Sequence, residues 1–250
     1  SFNILLDTIS RFVRETLIPR ETEVTDTDEI PADIVAQMRT MGLFGLTIPE
    51  EYGGLGFTTE EEVLASMALC YASPVFRSRI GTNTGIGAQG IVIDGTPEQK
   101  KQWLQPLLDG EIRSCFSMTE PEVSGADPTG LRTRAVREGD EYVINGHKWF
   151  ISGARGAGFA LLVARTEEDP EIPQAANSCF IVDLPSEGWN VVRDVQTMSG
   201  SHNHCEILIE DLRVPNANML GGPGQGHLLG QYRLGPARLA HCMRWIGQAE

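Results

Sequence analysis

No stretch of this sequence comes near the roughly 20 consecutive apolar residues that a membrane-spanning helix requires, so no transmembrane span is expected. Positive charge is also scarce. Lysine and arginine number 20 against 34 aspartates and glutamates, a formal net charge of −14. That excess repels a phosphate backbone and sets nucleic acid aside as a partner. A small anionic ligand remains compatible, because a few local cations and backbone N–H groups hold a phosphate against the overall field. Paired cysteines are missing: Cys70, Cys115, Cys179, Cys205 and Cys242 are scattered, odd in number and without a C-x-x-C. This argues against a disulfide framework and for a reducing compartment. There is no P-loop, no Rossmann glycine fingerprint, no G-x-S-x-G elbow, no internal repeat and no low-complexity tract. The first segment, residues 1–16, carries Asp7, Arg11, Arg14 and Glu15 within its apolar pattern and does not read as a secretory signal. What remains is ordinary for a soluble globular protein of an interior compartment: 41% hydrophobic and 22% charged residues.

The periodicity divides the chain into three regions. Residues 1–113 read as helical. Ile4, Leu5, Ile9, Phe12, Val13 and Leu17 recur at helical spacing, with Pro19 marking the end of that helix. A second helix is predicted from Pro31, closed by Gly42. Thr59 is predicted to cap a third, with Glu60, Glu61 and Glu62 in its first turn, and another is predicted from Thr96-Pro97-Glu98. From Ser114 the period shortens to two, and residues 114–223 read as a β domain. Asn145-Gly146, between Tyr142-Val143-Ile144 and His147–Ile151, signals a type I′ hairpin. Further strands are predicted over Phe159–Ala164, Cys179–Leu184, Trp189–Val195 and Cys205–Ile209. Residues 224–250 return to helix, with Pro236 starting a new segment. That pattern is still running at Glu250, which suggests a truncated product or an incompletely represented gene.

Two segments concentrate chemistry. Cys115–Pro121 followed by Glu122–Asp127 is a strand entering a Gly- and Ser-containing loop. Its backbone N–H groups suit an anion or a heteroaromatic edge, although an irregular β-to-loop corner is the plainer reading of the segment taken alone. In Trp149-Phe150-Ile151-Ser152-Gly153, alternation places Phe150 and Ser152 on one face. There they could cover a planar cofactor or serve as a core Phe with a satisfied Ser. His202-Asn203-His204-Cys205 invites a metal reading, but no companion pair stands at zinc-site spacing, so no metal is expected.

Four pieces in order change the balance. Met41–Gly54, Phe116–Pro121, Tyr142–Ser152 and Val214-Pro215 together resemble the acyl-CoA dehydrogenase family over essentially the whole chain. Glu122-Val123 and Gly235-Pro236-Ala237-Arg238 are most similar to a subgroup also found fused to a kinase-like domain. The resemblance implies an α+β multidomain fold: an N-terminal helical domain (1–113), a middle β-barrel or sandwich domain (114–223) and the first helix of a truncated C-terminal helical bundle (224–250). It implies FAD, with backbone groups of Phe116, Met118 and Thr119 at the polar edge of the flavin and Gly125 in the adjoining loop. Phe150 is expected on the ring, where many members have Trp, and the Ser152 hydroxyl at N5, where many have Thr. Phe for Trp keeps an apolar cover and loses the indole N–H. Ala126, in a loop one residue longer than is common, and Arg238 are the substrate-side positions.

The reaction implied is α,β-dehydrogenation of an acyl-CoA thioester, in lipid metabolism and fatty acid β-oxidation. A carboxylate removes the α-proton while the β-hydrogen leaves as hydride. It needs a base in a dry site, stabilisation of the developing enolate oxygen and an oriented electron sink. A minority of members carry the base immediately before the Arg matching Arg238, and here that position is Ala237. No catalytic residue is therefore assigned, and the base is expected beyond Glu250, which leaves the fragment alone inactive. The resemblance also implies an electron-transfer flavoprotein as acceptor and a homo-dimer or homo-tetramer. It implies a cytoplasmic location in a bacterium, or a mitochondrial or peroxisomal one in a eukaryote. An oxidase or flavin monooxygenase of the same fold, or a non-catalytic flavin- or acyl-CoA-binding subunit, remain the alternatives.

Overall fold

The computed structural model describes residues 2–167, 171–198 and 203–250. Two compact units are distinguished: Ser1–Gln89 with Trp103–Glu111 and Arg233–Glu250, and Gly90–Gln102 with Ile112–Tyr232.

The first unit is helical. Helix α1 (Phe2–Phe12) runs into a π-turn (Val13–Leu17), a 3-10 turn (Ile18–Arg20) and α2 (Glu21–Thr27). Pro19 therefore does not end the first helix, as its sequence suggests. It sits near the start of the 3-10 turn, where its missing N–H costs little, and the path stops instead at Asp28, left-handed at φ 53°. Helix α3 (Ala32–Thr40) follows Pro31 and closes through left-handed Gly42, as expected. The cap of α4 (Thr59–Leu69) lies one residue earlier than predicted. Thr58 Oγ1 accepts from the Glu61 N–H at 3.2 Å, and the Glu61 carboxylate accepts from the Thr58 N–H at 2.9 Å. Ile9, Phe12, Leu17, Ile34, Met38, Leu43, Phe44, Leu69 and Phe76 form the core of this unit. Within it, Arg77 of α5 (Pro74–Gly81) meets two groups of α4: the buried Glu62 carboxylate at 3.4 Å and Ser66 Oγ at 3.1 Å.

A π-turn (Thr82–Ala88) leads to α6 (Gln89–Asp94), and α7 (Pro97–Leu108) starts from a box in which Thr96 and Gln99 bond each other's backbone. In the second unit the described strands are β1 (Ser114–Ser117), β2 (Arg134–Glu138), β3 (Glu141–Ser152), β4 (Phe159–Arg165), β5 (Asn177–Asp183), β6 (Trp189–Asp194), β7 (His204–Pro215) and β8 (Met219–Leu220). They form one sheet in the order β6-β7-β3-β2-β4-β5-β8, with β1 on β4. β5 occupies one edge of β4 throughout, so β1 and β2 divide the other edge between them.

The Asn145-Gly146 hairpin is not formed, because both residues lie inside the 12-residue strand β3. The reversal occurs earlier, at Gly139-Asp140, where Glu138 pairs with Glu141 and Gly139 has φ +62°. Gly146 is required for a different reason: a Cβ there would lie 2.3 Å from Thr133 Oγ1. Asn145 faces a bulge on β7. Its side chain accepts from the Asp211 N–H at 2.8 Å and donates to the Asp211 carboxylate at 3.1 Å, which supports that residue at φ 49°.

Helix α8 (Gly226–Ala249) is continuous, with Pro236 inside it rather than starting a new segment. No helix among the described residues is long and apolar enough to cross a membrane.

Candidate functional site

Strand β1 runs parallel to β4 and leaves the sheet at Met118. A four-residue strand entering a loop leaves several polar groups to be satisfied, and one lysine satisfies much of that need. Lys148 of β3 is wholly buried. Its Nζ donates to the Met118 carbonyl at 2.8 Å and to Glu120 Oε1 at 2.9 Å. Glu120 Oε1 also accepts from the Thr133 N–H (2.9 Å) and hydroxyl (2.6 Å), and Oε2 accepts from the Arg132 N–H (2.7 Å). Burial opposes the charge on Glu120, but Lys148, Thr133 and the Arg132 N–H outweigh it and hold the carboxyl below the usual range. Burial brings the Lys148 ammonium down to about 8 against the pull of Glu120. The Met118–Pro121 corner is thus pinned from beneath by a desolvated, hydrogen-bonded ion pair.

The same corner is sewn to β3 by its backbone. The Trp149 N–H donates to the Thr119 carbonyl at 3.1 Å, and Thr119 Oγ1 donates to the Trp149 carbonyl at 2.7 Å. To meet it, β3 bulges. Lys148 pairs with Ile207 and Ile151 with Cys205, so Trp149 and Phe150 together oppose Glu206. Phe150 takes φ 53°, a left-handed conformation uncommon for a bulky residue. The residue is 44% exposed, and its ring stands edge-on to Trp149 at 4.9 Å. Beyond the bulge Ile151 is buried, and Ser152, like Phe150, is exposed. Ser152 pairs with His204 of β7, and Ser152 Oγ lies 2.7 Å from His204 Nδ1.

The loop after Pro121 folds back on this corner. A Cβ at Gly125 would be in ordinary contact with the Thr119 methyl at 3.6 Å, so Gly125 lies beside Thr119. Asp127 accepts from the Thr129 N–H at 3.0 Å and hydroxyl at 2.6 Å, and both bonds hold its carboxyl below the ordinary value. Gly125, Ala126 and Asp127 are exposed.

One face of the second unit therefore gathers the exit of β1 at Met118 and Thr119, Gly125 beside it, and Phe150 and Ser152 along the bulged strand. Phe116 is half-buried on β1 and pairs with Leu161 of β4. Ala126 lies in the second unit, whereas Arg238 is exposed on the part of α8 that belongs to the first. Ala237 beside it is half-buried. His202 lies outside the described residues. The donor set, an exposed ring next to a hydroxyl and a fixed backbone corner, has the chemistry that a planar heteroaromatic group with polar edge atoms requires.

Three contributors escaped the sequence reading: Lys148, Glu120 and His204. Lys148 could have been found, because it continues the inward alternation of Tyr142, Ile144 and Gly146, where an apolar residue belongs. A lysine in that place demands a buried acceptor. The pairing of His204 with Ser152 depends on register and left no mark in the sequence.

Two family profiles match the chain: that described as acyl-CoA dehydrogenase, N-terminal domain, over residues 3–111, and that described as acyl-CoA dehydrogenase, middle domain, over residues 115–212. Mouse "acyl-CoA dehydrogenase family member 10" is 36% identical over 98% of this chain and 25% of its own length. A crystal structure of a probable acyl-CoA dehydrogenase from Mycobacterium abscessus superposes with a TM-score of 0.89 and 30% identity. It covers 97% of this chain and 64% of that one. A glutaryl-CoA dehydrogenase from Mycobacterium smegmatis in complex with FADH2 gives a TM-score of 0.87 and 25% identity, with 98% and 61% covered. The chain spans about a quarter of the mouse relative's length and under two thirds of each of these solved chains.

Proposed function

Since the chain belongs to the acyl-CoA dehydrogenase family, whose N-terminal and middle domains it carries, we propose that its protein dehydrogenates an acyl-CoA thioester between the α and β carbons, using FAD. The observation that carries this reading is Phe150, held left-handed and exposed beside Ser152 above a corner locked by Lys148. A strained aromatic left 44% exposed next to a hydroxyl is poorly used by core packing, and it suits the stacking and edge recognition of a flavin.

In this reading the backbone groups of Phe116, Met118 and Thr119 address the polar edge of the ring, with Gly125 letting the loop approach it. Phe150 covers the ring and keeps water from it, and Ser152 orients it through a hydrogen bond at N5. FAD, when bound, supplies the two-electron sink. Ala126 and Arg238 lie on the side of the thioester, with Ala126 contributing only backbone where a side-chain hydroxyl is common in the family. Ala237 has no proton acceptor, so removal of the α-proton is assigned to a carboxylate at another position. The division at 113/114 and 223/224, assembly into a homo-dimer or homo-tetramer, and electron transfer to an electron-transferring flavoprotein belong to the same proposal. The solved relative bound to FADH2 supports the choice of cofactor.

Anaerobic titration of the complete, FAD-loaded protein, of which this chain is a part, with acyl-CoAs of graded length and branching tests the reading. Bleaching of the flavin absorbance by at least one thioester is expected. A protein that takes up no FAD, or whose flavin no acyl-CoA bleaches, overturns it.

A further inference from the structure

Ser152 has one proton and two lone pairs to distribute, and His204 sits where it decides how they are used. Three observations place it there. The bulge at Trp149-Phe150 shifts the ladder by one residue and sets Ser152 opposite His204. The His204 backbone is held from the other side, because its carbonyl accepts from the Val195 N–H at 2.6 Å. The Asn203 carbonyl accepts from the Gly153 N–H at 2.8 Å, which closes the end of the β3–β7 pair. With both backbones fixed, Nδ1 stands 2.7 Å from the Ser152 oxygen, and the exposed hydroxyl keeps its remaining valence for a ligand.

We infer that His204 is a positioning residue that sets the direction of the Ser152 hydrogen bond toward the bound cofactor and reverses that direction by exchanging tautomers. This rests on the flavin reading proposed above. The N5 atom of an oxidised flavin is an acceptor. The N5 atom of the two-electron-reduced ring carries hydrogen and is a donor. A hydroxyl fixed as a donor fits only the first state. If Nδ1–H donates to Ser152 Oγ, the Ser152 proton is free to point at N5. If the imidazole proton sits on Nε2, Nδ1 accepts the Ser152 proton and Oγ accepts from N5–H. Each arrangement holds one imidazole proton, so moving between them through water leaves the charge of His204 unchanged. The electrons come from the acyl thioester of the proposed reaction, and none passes through Ser152 or His204.

The test uses the FAD-loaded protein and its Ser152→Ala, His204→Ala, His204→Asn and doubly substituted Ser152→Ala/His204→Ala forms. S152A and H204A are each expected to shift the flavin midpoint potential, with the double variant shifted no further than S152A alone. H204N, whose amide can present either an N–H or a carbonyl, is expected to stay near the parent value. In the unsubstituted protein, the ¹⁵N signals of His204 Nδ1 and Nε2 are expected to exchange protonated and unprotonated character on reduction. An unchanged potential in H204A, shifts that add in the double variant, or the same His204 tautomer in both redox states overturns the inference and leaves the flavin reading standing. Failure of the unsubstituted protein to take up FAD removes both.

Discussion

The Lys148 ammonium lies 2.9 Å from Glu120 Oε1, and neither side chain reaches solvent to any useful degree. Together they hold the exit of β1 against β3, so removing one member strands the other's charge in a low-dielectric interior. Lys148→Met is expected to cost about 3–5 kcal/mol of unfolding free energy. Lys148→Met combined with Glu120→Gln is expected to recover much of that loss, because no bare charge remains. Urea denaturation of the single and double variants measures the difference, and equal losses would show that the charge is not the cause.

The same carboxylate gives an acid dependence of known sign. The folded pKa of Glu120 is depressed, so its contribution to stability is complete above the unfolded carboxylate value of about 4.3 and is lost as pH falls through the lower folded value. Glu120→Gln has no such contribution to lose. Its stability is expected to fall less steeply than the parent's below about pH 4, as read from denaturant midpoints over a pH series.

Glu62 presents the opposite case. Burial raises its pKa and Arg77 pulls it back down. Arg77→Met removes that restraint, so the folded pKa rises further above the unfolded one. Folding then favours the protonated acid. The deficit of this variant is expected to reach about 3–5 kcal/mol near neutrality and to narrow as pH falls through the raised folded pKa. A deficit constant from pH 7 to 5 would rule this account out.

Phe150 separates its cost to folding from its use in binding. Glycine at φ 53° escapes a left-handed penalty of about 1–2 kcal/mol, but a residue that is 44% exposed still buries more than half of its surface, worth about 1–3 kcal/mol. The two effects nearly cancel, so Phe150→Gly is expected to change the stability of the flavin-free protein by less than about 1 kcal/mol. The same change is expected to weaken FAD binding by roughly tenfold, the size of one aromatic stacking contact. Thermal unfolding and flavin fluorescence titration give the two numbers independently.

The family resemblance was legible because its segments build the site directly. Phe116–Pro121 proved to be β1 and its pinned exit, and Trp149–Ser152 the bulged strand against it. Helix starts were legible where a side chain does the capping, as at Thr96 and within one residue at Thr58. The errors came from residues whose local signal is overruled by distant partners. Asn145-Gly146 has turn chemistry, yet Gly146 answers to Thr133 and Asn145 to Asp211, and neither partner is near in sequence. Pro236 reads as a start, but α8 carries it internally at the loss of one hydrogen bond. The Ser152–His204 pair was hidden for the same reason, since no local rule fixes a strand register that depends on a bulge.

Strands β3 and β7 each carry one surplus residue, β7 near Asp211 and β3 near Phe150. The ladder slips by one after Ile144 and is restored by Ile151. For inheritance, this makes the two strands a matched pair under insertion and deletion. Losing a single codon from either bulge would turn one end of the sheet inside out, either exposing Ile151 or driving Phe150 and Ser152 inward. Losing one from each would keep the outer ends in step while erasing the left-handed turn at Phe150. Lineages of this fold should therefore tolerate a change of residue type at these two places better than a change of length.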